Sequence, residues 1–209
     1  MSIRGKLRLI AGAIFLVILL MTGVTYVRSG AMLDSFLKSS GTEIAVGAAN
    51  IVQGELNRYI ATINVAAATM LQSYVHAENP EAGARNVEAV CEKMLKNAED
   101  KNILSLYLAL ESTGLLAIAS SEGKWVAPAG YDARTRGWYQ QAVADRGTTR
   151  FSTPYIEAAS GKLVIAATKA VYDDSGKLVG VASIEVDLDK LSAFVVSQKV
   201  FGQGSGALV

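Results

Sequence analysis

A chain of 209 residues with 51% hydrophobic content is long enough for one or two modest domains with a real core. Its net charge of +1 lacks the basic excess that a phosphate-binding surface needs, so nucleic acid is not an expected partner. One Cys and one His leave no internal disulfide and argue against a histidine triad or a transition-metal site, and no cofactor is expected.

The first expected element is a membrane span. Leu9 to Val27 is uncharged and mostly apolar, close to the length a helix needs to cross a hydrocarbon core. Arg4, Lys6 and Arg8 stand before it and Arg28 behind it, so the positive-inside bias places residues 1–8 in the cytoplasm, the span at 9–28, and the later residues outside the cell membrane. A cleaved leader ending near Ser29-Gly30-Ala31 is the alternative, although its apolar core would normally be shorter.

After the Ser39-Ser40-Gly41 break, the pattern predicts a stalk helix from about Thr42 to just before Asn79-Pro80. Its apolar stripe is Val52, Leu56, Tyr59, Ile63, Ala66, Met70 and Tyr74, with Gln53, Asn57 and Asn64 off it. The stripe serves packing on its own domain, pairing with a second copy in a parallel homodimer, or both. A second helix is expected from Glu81 to about Ala98, with Cys91 in its apolar row as a core residue; His76 has no neighbouring Cys or His.

Beyond Asn102 the period changes to that of strands. Ile103 to Leu110 and Leu115 to Ala119 flank Ser112-Thr113-Gly114 as a hairpin, a short helix is expected around Trp138 to Ala144, and Leu163 to Tyr172 and Leu178 to Leu188 are joined by the Asp173 to Gly176 turn. Helices followed by an antiparallel sheet make the class α+β, with the helices covering one face. In the last strand Ala182, Ile184, Val186 and Leu188 share one face and Val181, Ser183, Glu185 and Asp187 the other. An outward, solvated acid is the ordinary reading of such a face; the functional one turns Glu185 into a pocket.

Tyr131 to Tyr139, YDARTRGWY, interleaves Arg134 and Arg136 with three aromatics and one aspartate. An arginine fork matches a carboxylate, and Trp and Tyr supply flat walls with one polar handle each, a chemistry for gripping a small anion. The plainer reading pairs both arginines with local acids and uses Trp138 and Tyr139 to plug the core. Tyr155 and Glu157 of the PYIE segment, with Glu185, would put carboxylates opposite the arginine, complementary to a zwitterion.

The order of these blocks, with DARTRGWYQQA followed by FSTPYIEAASGKLVIAATKAVYDDSGKLVGVASIEVDL, resembles the extracytoplasmic double Cache sensor domain of bacterial chemoreceptors. The resemblance implies a PAS-like module over 29–188, stalk included, that binds an amino acid, amine or organic acid without catalysis. It further implies that 189–209 begins a membrane-proximal module truncated here. By resemblance, Arg136 and Trp138 hold a ligand carboxylate, while Tyr131, Tyr139 and Tyr155 wall or hydrogen-bond the pocket. Glu157 and Glu185 stand where amino-acid sensors of the family have aspartates, and Ala133 and Gly137 where prolines are common. Related ectodomains on sensor kinases or cyclic-dinucleotide enzymes, a hydrolase using Glu157 and Glu185 as an acid/base pair, and a purely structural dimerisation module are the other readings.

Overall fold

The computed structural model describes residues 3–100, 102–158 and 160–197. The chain divides into two units, 1–49 and 50–209. The first consists of the N-terminal part of α1 (Ile3–Val75). The second holds the remainder of α1 with α2 (Pro80–Asn97), β1 (Ile103–Leu110), β2 (Leu116–Ser120), a 3-10 turn at Ala133–Thr135, α3 (Gly137–Ala144), β3 (Arg150–Phe151), β4 (Tyr155–Ile156), β5 (Leu163–Tyr172), β6 (Leu178–Asp187) and α4 (Leu188–Ser197).

The predicted break at 39–41 does not interrupt α1. No proline stands there, and the Thr42 hydroxyl donates back to the Lys38 carbonyl at 2.9 Å, so the helix satisfies that polar side chain internally. Among the described residues no helix is long and apolar enough to cross a membrane. Many side chains of the expected span, 9–28, lie outside the described residues, as do residues 198–209 of the expected second module.

Helix α2 starts where the sequence announces it: Asn79 caps the Ala82 amide at 2.8 Å and Pro80 opens the first turn. The sheet is antiparallel, ordered β2-β1-β6-β5-β3, with β4 pairing β5 on the same side as β3. Against one face lie the predicted stripe residues Tyr59, Ile63, Ala66 and Met70, with Val87 and Cys91 of α2, over Leu106, Leu108, Ala182, Ile184 and Val186. Each large apolar side chain buried here contributes about 1.5–3 kcal/mol. Cys91 is a free thiol inside this layer, and burial pushes it up to about 12, so it behaves as the core residue expected.

The second face departs from the ordinary expectation of a solvated surface. Ala133, Trp138, Tyr139 and Ala142 pack against Tyr107, Ala109, Ala170 and Val181, so β1 is buried along its whole length and Ser183, Glu185 and Asp187 lie inside. Alternation along β6 separates the two faces correctly; the segment 131–144, folded back over the sheet, is what closes the second one.

Candidate functional site

The site is built where that segment crosses the sheet. Ala133 donates its amide to the Gly114 carbonyl in the β1–β2 turn at 2.8 Å, and the Asp132 side chain caps the Arg134 amide at 2.9 Å. Gly114 has φ +71, and a Cβ there would come within 2.3 Å of Asp132 Oδ1, so only glycine lets the two loops approach this closely.

The two arginines then part company. Arg134 is paired with Asp132 at 2.7 Å and donates to the Glu111 carbonyl at 3.0 Å, fastening the segment to the β1–β2 hairpin. Among the described residues the Arg136 guanidinium has no hydrogen bond or ion pair, and it lines a cavity with Leu116, Ile118, Trp125, Tyr131, Trp138, Tyr155, Glu157, Ala158 and Glu185. Six of the seven residues expected at the site therefore meet at one cavity. Tyr139 does not line it: its hydroxyl donates to Glu111 at 2.5 Å while its ring meets Trp138 edge-on at 5.7 Å, because its place on α3 turns it toward the hairpin.

Glu185 projects from near the C-terminal end of β6, 4% exposed. Tyr155 donates to its Oε1 at 2.5 Å and Tyr107 at 3.1 Å, and the Ser105 hydroxyl donates to Oε2. Burial holds the Glu185 carboxyl above its usual range, against the pull of the hydroxyls of Ser105, Tyr155 and Tyr107. Glu157 accepts from the Ser160 amide at 2.6 Å and hydroxyl at 2.7 Å. Burial pushes the Tyr131 phenol up to about 12, opposed by Arg136 and aided by Glu185 and Glu157, so all three charges act on one ring.

Sequence reasoning missed Trp125, whose ring meets Tyr131 at 5.0 Å, and the donors Ser105 and Tyr107. Ser105 and Tyr107 lie on the strand beside β6, and Ser105 is in register with Glu185, a pairing that becomes visible once β1 and β6 are known to be neighbours. The cavity measures about 20 Å³, room for about one water. It shares Leu116, Ile118 and Trp125 with a groove of about 650 Å³ against α2, and Arg136, Trp138 and Tyr155 with one of about 230 Å³.

Comparison with known proteins places the chain among sensor domains. The methyl-accepting chemotaxis protein PscA of Pseudomonas syringae is 42% identical over 82 residues, 39% of this chain and 13% of that protein. McpG of Pseudomonas putida is 27% identical over 169 residues, 77% of this chain and 25% of that protein. The chain thus spans a small part of the length of these relatives. The ligand-binding domain of the Pseudomonas fluorescens chemoreceptor CtaA, solved with L-serine, is 25% identical with a TM-score of 0.57, covering 80% of this chain and 64% of that one. That of the Pseudomonas aeruginosa amino-acid chemoreceptor PctC, solved with GABA, shares the fold at a TM-score of 0.61 and 24% identity, covering 77% and 68%. The family model described as "Methyl-accepting chemotaxis protein-like, first PDC sensor domain" matches residues 70–193, and the chain belongs to that family.

Proposed function

We propose that this chain is the ligand-sensing ectodomain of a transmembrane chemoreceptor, and that its cavity takes a small molecule carrying both a carboxylate and an ammonium. The observation that carries the reading is the Arg136 guanidinium, unpaired among the described residues, in the wall of a cavity that also holds Glu157, Glu185 and the rings of Trp125, Tyr131, Trp138 and Tyr155. Arg136 receives the carboxylate in a bidentate contact, the rings wall the carbon skeleton, and the glutamates receive the ammonium. Amino acids head the candidates, because the solved relatives carry GABA and L-serine. A volume of about 20 Å³ admits neither, so ligand entry requires the walls to move apart and close again.

In this reading residues 9–28 cross the membrane, 29–188 form the extracytoplasmic module, 189–209 lead into a second one, and α1 pairs with a second copy. The exposed Val65 on α1 fits such pairing. Sedimentation of the Val65→Glu variant tests it, with a shift toward monomer expected and an unchanged profile counting against it.

Calorimetric titration with the standard L-amino acids and GABA tests the site. Wild-type protein is expected to bind at least one of them, and Arg136→Ala to weaken that binding by tenfold or more, from a charged hydrogen bond of about 1.5–3 kcal/mol. Equal affinity of the variant for the bound amino acid, at an unchanged melting temperature, overturns the assignment.

A further inference from the structure

We propose that Lys162 couples the loop over the ligand cavity to α4, the helix after the sheet. The coupling rests on the ligand-site reading, since it treats residues 121–127 as the cavity's movable wall. That loop leaves β2, turns at Gly123 with φ +108, and delivers Trp125 to the cavity against Tyr131. Its position therefore decides whether the cavity is shut.

On the same loop, Glu122 Oε1 accepts from Lys162 Nζ at 2.6 Å. Lys162 immediately precedes β5, and its ammonium also lies 3.6 Å from Asp187 Oδ2. Asp187 ends β6, its side chain is 4% exposed, and its other oxygen accepts from the amides of Asp189 at 3.0 Å and Lys190 at 3.2 Å in the first turn of α4. A carboxylate in that position caps the helix and complements the positive end of its dipole, and both effects depend on its charge.

One ammonium thus stands between two carboxylates and is held closer by the one on the loop. An exposed pair such as Lys162 and Glu122 contributes little to stability; its importance lies in where the lysine goes next. When the loop lifts and carries Glu122 away, attraction draws the ammonium onto Asp187 and partly neutralises the cap. Loop closure tightens the first turn of α4, and loop opening loosens it. A ligand that holds Trp125 in place is read at α4 through this exchange of partners.

The test is hydrogen–deuterium exchange, followed by mass spectrometry on peptides spanning 188–197 of the full chain without ligand. Glu122→Gln mimics the open loop and is expected to speed exchange in the first turn of α4 about three- to tenfold, the scale of losing a helix cap. In a Lys162→Met background the same substitution is expected to change nothing, while Lys162→Arg retains the response. An unaltered rate in Glu122→Gln, or acceleration that persists with Met at position 162, overturns the proposal. Because the measurement contains no ligand, its failure leaves the binding assignment standing, whereas failure of binding removes the ligand as the trigger and leaves only the exchange of partners at Lys162.

Discussion

Arg134 and Arg136 lie two residues apart in one motif and do different work. Arg134 and its partners Asp132 and Glu111 anchor the loop, so Arg134→Ala is expected to lower the melting temperature slightly, whereas Arg136→Ala is expected to leave it unchanged and weaken binding by tenfold or more; calorimetry beside thermal melting separates the two. Glu185 shows the cost of keeping an acid dry. Its folded carboxyl titrates above the ordinary value of 4.5, so the stability it contributes is fully present below that value and is lost as pH rises through the folded one. Glu185→Gln is expected to abolish this component, so the gap between wild-type and variant melting temperatures changes as pH rises from 4.5. A constant gap refutes it.

At the scale of elements, α1 is held to the sheet by its stripe and by a few directional contacts. Ile63→Ala removes a fully buried side chain and is expected to cost about 2–5 kcal/mol in denaturant unfolding. Asn64, read as lying off the stripe, accepts from Thr149 at 2.8 Å and Lys169 at 2.7 Å and so pins α1 along the sheet, which apolar packing alone does not do. Where α2 meets α1, a Cβ at Gly83 would lie 2.8 Å from the Tyr74 ring and 3.0 Å from the Tyr74 carbonyl. Gly83→Ala is therefore expected to destabilise the pair, although alanine is the better helix former; a raised melting temperature would contradict this.

Across the sensor unit, the turn between α2 and β1 is tied back to α1 through Asp100. Its Oδ2 accepts from Tyr59 at 2.7 Å and Arg58 at 2.5 Å, and Oδ1 from the Asn102 amide at 2.8 Å. Burial alone would raise this carboxyl, but the bonds from Tyr59, Asn102 and Arg58 hold it below 3.8. The stability it contributes is present above the unfolded value and lost as pH falls through the folded one. Asp100→Asn is expected to lower the melting temperature at neutral pH and to flatten the acid limb of the stability profile, and an unchanged limb would show that other carboxylates dominate it.

Periodicity in the sequence by itself determined the stalk part of α1, α2, the strands β1, β2, β5 and β6 and the separation of the two faces of β6, because side-chain direction repeats every 3.6 or 2 residues whatever the surroundings; β3 and β4, two residues each, are too short to carry such a pattern. The aromatic and arginine-rich motif was legible too, and six of the seven expected site residues converge on one cavity. What only the tertiary structure decided was which of two equivalent arginines stays unpaired among the described residues, that Tyr139 turns to Glu111, that the carboxylate face of β6 is covered, that Ser105 and Tyr107 donate to Glu185, and that Trp125 lines the cavity. Those outcomes depend on which strands become neighbours and where a loop folds back, contacts such as that of Ser105 with Glu185, 80 positions apart, and local pattern carries no record of them.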